Sequence, residues 1–193
     1  MKKIFSSISV LFAGAALFVS CGGGGLSEDF KKEIAEFETA WGNAKNEVYA
    51  LRDSVQATLT SWEGMKDEAV PDTVWNKLDE PTKSALDSIE AVCGDHTANL
   101  EKLNKEITTY TETFEADGKA WGDWKVKVEK GEIDIETAKK DMKLYKEKIT
   151  VINDWVKETN TKYMAIKSAC DANCAGYGAI LSNAMTPAEV PAR

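Results

Sequence analysis

From Ser27 onward, apolar residues recur every three or four positions along almost the whole chain. Such spacing places the side chains on one face of an α-helix, and its persistence over many turns is typical of helical bundles and coiled coils. The pattern predicts three long helices and no strand. Their apolar stripes run over residues 30–65, residues 86–128 and residues 135–170, and the third continues less regularly to Leu181.

Punctuating residues set the limits of the first helix. Ser27 is suited to cap it, because a serine hydroxyl can accept a hydrogen bond from an amide of the first turn. Pro71 is expected to end it. Residues 67–81 then form a connector in which Trp75 and Leu78 favour a short helical turn over the end of the bundle.

The link between the second and third helices is much shorter. Gly131 follows the second stripe, where glycine commonly ends a helix, and Asp134 is suited to cap the next helix. Gly94-Asp95 could break the second helix, but the stripe keeps its phase across it, so we expect a continuous helix. Short links make long helices antiparallel neighbours. The sequence therefore predicts an all-α fold, an elongated antiparallel three-helix bundle of coiled-coil character with a short helical connector between helices 1 and 2.

The start of the chain has a different pattern. Lys2 and Lys3 precede an apolar run, residues 4–19, that is short for a membrane span, and Ser20 then precedes Cys21. A basic tip, an apolar stretch and a small residue before a processing point are typical of a secretory signal peptide. The sequence therefore predicts export.

The stretch Leu17-Phe18-Val19-Ser20-Cys21 resembles the lipobox of bacterial lipoproteins, with Phe18 in place of the usual leucine. The resemblance covers the export segment alone, and the helical part is assigned to no family. It implies that Cys21 is acylated, with palmitate among the chains, and becomes the mature N-terminus in the bacterial cell envelope. Enteric sorting rules use aspartate after the cysteine for inner-membrane retention, so Gly22 leaves outer-membrane delivery as the expectation. The periplasmic and surface faces stay open.

Four segments result from this interpretation. They are a signal peptide (1–20), an acylated cysteine with a glycine-rich tether (21–26), a helical bundle domain (27–183) and a flexible tail (184–193). The whole chain has a formal net charge of −8, and the signal peptide holds two lysines and no acid, so the mature chain carries −10. This charge disfavours nucleic acids and anionic head groups as partners, so membrane attachment depends on the acyl chains.

A group of cysteines is the main candidate site. Folding the second helix back on the third about a turn near residue 132 places Cys93 opposite Cys170. His96 then lies one turn from Cys93, and Cys174 lies one turn from Cys170. All four belong to the end of this hairpin that is far from its turn.

Three interpretations of the group remain open. Cys93 could form a disulfide with Cys170 or Cys174, closing a long loop with a stabilisation of about 4 kcal/mol. A Cys170–Cys174 bridge would require that the helix has ended there. Three thiolates and the His96 imidazole also match the ligands of a structural zinc site, and Zn²⁺ is the one cofactor the sequence suggests. In the third interpretation the cysteines pack as small apolar residues and His96 is an ordinary seam residue.

Tryptophan is abundant, with six residues in the chain. Four of them fall on the apolar stripes and Trp155 flanks one, which favours core packing over an aromatic binding groove. Trp75, in the connector, is the tryptophan expected to face outward.

Signatures of nucleophilic, phosphate-binding and haem chemistry are missing from the sequence, which has a single histidine, so no catalytic residue is predicted. The sequence favours a non-enzymatic envelope lipoprotein acting as a helical binding, adaptor or spacer module. The alternative is a metal- or small-ligand-binding lipoprotein with a Cys₃His site between helices 2 and 3. The expected partners are the membrane, through the acyl chains, and an envelope protein or glycan.

Overall fold

A computed structural model describes residues 26–66 and 70–185, and these residues form four helices. They are α1 (Glu28–Lys66), α2 (Asp72–Trp75), α3 (Glu80–Glu129) and α4 (Ile135–Met185). The predicted signal peptide, Cys21 and the four glycines after it lie outside the described residues, as do residues 186–193 of the predicted tail.

The three long helices pack against one another, which confirms the predicted all-α three-helix bundle. α1 and α4 run parallel, since Glu33 pairs with Lys146 and, further along both helices, Thr58 bonds to Tyr163. At about 1.5 Å per residue, α3 and α4 are each about 75 Å long. The described ranges contain no strand. None of their helices has an apolar stretch that could carry it across a bilayer.

The bundle core consists of two apolar clusters arranged along its length. The first lies near the α3–α4 turn and is rich in aromatic rings, including Phe37, Trp41 and Trp121. The second is built mainly from aliphatic side chains around Val55 and ends at Cys170. The core therefore changes from aromatic to aliphatic along the bundle, with a buried thiol at the limit of the second cluster.

The predicted capping residues of α1 and α4 are confirmed. The Phe30 amide donates to Ser27 Oγ at 3.3 Å, and the Thr137 amide donates to Asp134 Oδ1 at 3.0 Å. In each case the side chain satisfies an amide that has no partner within its helix.

The predicted glycine stop after α3 is also confirmed. Gly131 has a φ of +72°, a conformation that glycine adopts without steric cost. Its amide donates to the Val128 carbonyl at 3.1 Å, and the Glu132 amide donates to the Lys127 carbonyl at 2.9 Å. This pair of bonds is a Schellman motif, which reverses the chain immediately after the helix.

The predicted limits around the connector need correction. α3 begins at Glu80 because Asp79 caps it, with Oδ1 accepting from the Thr82 amide at 2.9 Å. Pro81 therefore lies in the first turn of α3 instead of the connector, since a first-turn residue needs no amide hydrogen. The described part of α1 ends at Lys66, five residues before Pro71.

The short helical turn predicted in the connector exists as α2. None of its own residues is buried, and Trp75 is only half-exposed. Leu78, just after α2, is the buried anchor of the connector at 7 % exposure. The predicted continuity of α3 across Gly94 is confirmed.

Candidate functional site

The register of α3 against α4 determines which residues of the two helices face each other at the candidate site. The facing pairs Trp124–Asp141, Asp117–Lys148 and Tyr110–Trp155 have residue numbers that sum to 265. The sequence-based register had a sum of about 263. By the observed register, Cys93 faces the gap between Cys170 and Cys174, and it does not lie squarely opposite Cys170.

The structure brings Cys93 of α3 together with Cys170 and Cys174 of α4, and we refer to these three residues as the cysteine cluster. Their sulfur atoms all lie within 4.8 Å of one another. Cys170 Sγ and Cys174 Sγ, one helical turn apart, are separated by 4.0 Å. In the described part of the chain, these three are all free thiols.

Burial is graded across the cysteine cluster. Cys170 is buried, Cys93 is half-buried and Cys174 is exposed. Burial, followed by the neighbouring Cys174, raises the pKa of the Cys170 thiol to about 12. Burial also raises the pKa of Cys93. Cys170 and Cys93 are therefore held as neutral thiols near neutral pH, and Cys174 is open to solvent.

His96, the fourth predicted ligand, does not belong to the cysteine cluster. Its Nε2 lies 3.0 Å from Nδ2 of Asn173, so the imidazole ring and the side-chain amide are within hydrogen-bond distance. Asn173 lies on the same turn of α4 as Cys174. The imidazole thus bonds across the helix pair beside the thiols.

The Cys170–Cys174 bridge considered from sequence is incompatible with the fold. It required the helix to end near Cys170, whereas α4 continues to Met185. In a helix, Cβ atoms four residues apart are separated by about 5–6 Å, whereas a disulfide needs about 3.5–4.5 Å. Cys93 is therefore the available partner for a bridge within the cluster.

The cysteine cluster lies level with the end of α1. Thr58 and Tyr163 share a hydrogen bond of 2.8 Å between parallel helices, so residues of α4 lie 105 positions ahead of their neighbours on α1. By that offset Cys170 is level with residue 65, in the last turn of α1. The cluster thus lies beside the end of the described part of α1, with Cys170 buried and Cys174 exposed.

The predicted core packing of tryptophan is confirmed for the four stripe residues, Trp41, Trp62, Trp121 and Trp124, which are all buried. Trp124 donates its indole N–H to Asp141 Oδ2 at 2.9 Å. Trp155 is half-buried and stacks on Tyr110, with ring centroids 3.6 Å apart.

An apolar groove of about 510 Å³ runs between α3 and α4 on the described surface. Its walls include Tyr110, Leu144 and Val151, of which Leu144 is 60 % exposed and Val151 is 65 % exposed. The ion pair between Lys148 and Asp117 lies across it. The sequence analysis missed this groove because Leu144 and Val151 fall off the apolar stripe; their spacing of seven residues was the available signal.

The groove and the cysteine cluster differ in what they can do chemically. The cluster offers three soft, convergent sulfur donors, which can form a disulfide or bind a thiophilic metal ion. The groove offers apolar surface and an ion pair, and its lining has no cysteine or histidine. Comparisons with family models, curated proteins and solved structures found no match to this chain.

Proposed function

We propose that this protein is a non-enzymatic lipoprotein of the bacterial cell envelope, in which acyl chains on Cys21 tether a rigid helical module. The observation that carries the proposal is the lipobox-like stretch, residues 17–21, directly followed by four glycines and then by a folded bundle. The link between the cysteine and the bundle is short, because α1 begins at Glu28, seven residues after Cys21.

The dimensions of the bundle support a role as spacer or adaptor. α3 and α4, each about 75 Å long and packed with the shorter α1, hold the two ends of the bundle far apart at a fixed distance. A glycine-rich tether is flexible and leaves the domain free to reorient above the bilayer. An envelope protein or a glycan is the expected partner, and the outer membrane is the expected location.

The anchor is tested with the full chain expressed in a Gram-negative host. Incorporation of labelled palmitate and recovery in the membrane fraction are expected, and Cys21→Ala should abolish both. Cys174→Ser is the matched control, because it also removes a thiol but leaves the export segment unchanged. An unlabelled, unprocessed wild-type chain in the soluble fraction would refute the anchor. Density separation of the two membranes tests the outer-membrane location.

A disulfide between Cys93 and either Cys170 or Cys174 is proposed for the oxidised protein. Cys93 lies on α3 and the other two cysteines on α4, with all three sulfur atoms within 4.8 Å of one another, so side-chain rotation toward a bond of about 2.05 Å forms the bridge. The closed loop would stabilise the bundle by about 4 kcal/mol in the chain-entropy model. It would clip α3 to α4 at the end of the hairpin that its turn does not hold.

Peptide mapping tests this bridge. The protein is taken from the envelope, alkylated without reductant and digested with trypsin, which separates Cys93 from a peptide carrying both Cys170 and Cys174. We expect the two peptides to remain linked, with one alkylated cysteine. Recovery of three alkylated cysteines would exclude the bridge.

A metal-binding lipoprotein is the second candidate function, and the convergence of three sulfur atoms favours it. Sequence reasoning proposed a Cys₃His ligand set. Neither ring nitrogen of His96 lies with the three sulfur atoms, and its Nε2 is paired with Asn173, so the geometry favours a set made of the three thiols alone.

A further inference from the structure

We propose that Cys93, Cys170 and Cys174 form a three-thiolate site for one thiophilic metal ion of the Zn²⁺ or Cu⁺ class. The inference deepens the second candidate function, and it does not depend on the lipid anchor. It fixes the ligand set, leaves His96 out of it and assigns the site to the junction of α3 and α4.

The sulfur geometry is already close to that of a bound ion. The centre of a triangle of sulfur atoms 4.0 Å apart, the Cys170–Cys174 separation, lies about 2.3 Å from each atom, which equals a Zn–S bond. For the outer limit of 4.8 Å the same distance is about 2.8 Å. Each sulfur therefore needs to move by no more than about half an ångström, within the reach of small χ1 changes.

Two rigid helices supply the ligands. Cys170 and Cys174 are one turn apart on one face of α4, and Cys93 on α3 faces the gap between them. Sites built on helices hold their ligands more precisely than sites on loops. The arrangement is thus preorganised, and a bound ion would join the two helices.

Metal binding uses all three thiols, whereas a disulfide uses two and leaves one spare. Soft thiolate ligands select Cu⁺ and Zn²⁺ over hard cations. Binding breaks three S–H bonds and releases the protons to solvent, with no change in the oxidation state of sulfur. An ion and a Cys93–Cys170 disulfide exclude each other, because both require the same sulfur atoms.

The fourth coordination position of the bound metal ion distinguishes Zn²⁺ from Cu⁺. Within the described residues, no histidine or carboxylate joins the three sulfurs. Zn²⁺ would complete a tetrahedron with water at the exposed Cys174 side, whereas Cu⁺ can remain three-coordinate. One ligand set thus serves both ions, and separate titrations identify the one that binds.

The test uses the full chain carrying Cys21→Ser, purified in detergent and reduced under argon, so that the three clustered thiols are the only ones present. Zn²⁺ and Cu⁺ are titrated separately against a competing chromophoric chelator. We expect one ion per chain for at least one metal, and at least a hundredfold weaker binding in Cys170→Ser and in Cys174→Ser. The Cys174 variant changes an exposed residue, and circular dichroism verifies that each variant retains its helicity.

His96→Ala is the matched control, and its affinity should stay within threefold of the parent chain. A loss comparable to that of Cys174→Ser would make the imidazole a ligand and overturn the three-thiolate assignment. The assignment would also be overturned if the parent chain bound both ions no more tightly than a triple variant with Cys93→Ser, Cys170→Ser and Cys174→Ser. Neither failure touches the anchor, because the tested chain lacks the acylated cysteine.

Discussion

The indole ring of Trp41 in α1 packs directly against the backbone of Gly118 in α3. A Cβ atom added to Gly118 would lie 3.3 Å from Trp41 Cζ2. The ring has little room to move, because it also stacks on Phe114 with centroids 4.6 Å apart. The Asp117-Gly118 interruption in the apolar stripe is therefore a place where α3 makes room for an aromatic side chain of α1.

Alanine substitutions at two glycines of α3 test this contact. Gly122 has nothing within 4 Å of an added Cβ, so Gly122→Ala should stabilise the protein by about 0.8–1 kcal/mol through helix propensity. Gly118→Ala gains the same propensity but compresses Trp41, and overpacking costs about 1–3 kcal/mol. We expect Gly118→Ala to be at least about 1 kcal/mol less stable than Gly122→Ala in urea unfolding. Equal stability of the two variants would contradict the close packing.

The hydrogen bond of 2.9 Å between Trp124 and Asp141 should make a measurable contribution to the free energy of unfolding. Trp124→Phe keeps an aromatic ring but removes the indole N–H, and a bond to a charged acceptor contributes about 1.5–3 kcal/mol. A double-mutant cycle with Asp141→Ala separates this bond from the lost ring volume. We expect a coupling free energy above about 1 kcal/mol, and strictly additive effects would show that the bond contributes nothing.

Acid should weaken the start of α4. Hydrogen bonds from Thr137 lower the pKa of the Asp134 carboxyl in the folded protein. Asp134 therefore contributes stability that is fully present above its unfolded pKa of about 3.9 and is lost as the pH falls through the lower folded value.

Asp134→Asn tests this pH dependence, because asparagine also caps helices but does not titrate. Thermal unfolding followed by circular dichroism should show wild type losing more Tm than the variant between about pH 6 and pH 2. Parallel Tm profiles for the two proteins would contradict the role of the carboxylate. Thr137→Ala should reduce the difference by removing the donor hydroxyl, which lies 2.6 Å from Asp134 Oδ2.

The three clustered thiols should alkylate at very different rates in the reduced, metal-free protein. A pKa of about 12 for Cys170, against an ordinary value of 9.0, leaves it about a thousandfold less thiolate near pH 8, and burial slows it further. We expect iodoacetamide to label exposed Cys174 first and Cys170 last, as read from fragment ions of their shared peptide. Equal labelling rates in the folded protein would contradict the graded burial, and denaturant should equalise them.

Periodicity was sufficient for the helices, but not for every core position. Thr58 was assigned to the first stripe, yet Leu59 is the buried residue at 4 % exposure and Thr58 is half-buried. Both residues fit steps of three and four after Val55, so spacing alone could not choose between them. The capping roles of Ser27 and Asp134 were predictable because they depend on local backbone chemistry.

The cysteine cluster shows where sequence reasoning reaches its limit. Antiparallel folding about a short turn was enough to bring Cys93 near Cys170, but the register differs by two residues. With that difference, Cys93 lies between the two thiols of α4. His96 pairs with Asn173 and does not join the thiols. A shift of this size depends on how the side chains facing each other between α3 and α4 pack, such as Tyr110 on Trp155, and residue spacing does not contain that information.

The Schellman turn at Gly131 also has a kinetic consequence. It joins α3 to α4 through residues 130–134, a far shorter link than the one between α1 and α3, so contacts beside it close at a low entropic cost and should form early. Pairing of α3 with α4 then extends along the two helices toward Cys93 and Cys170, which each lie about 38 residues from the turn. The thiol end should therefore close last during folding and open first in native-state hydrogen exchange. A disulfide or a metal ion in the cysteine cluster would hold that end closed, and it would slow unfolding far more than it speeds folding.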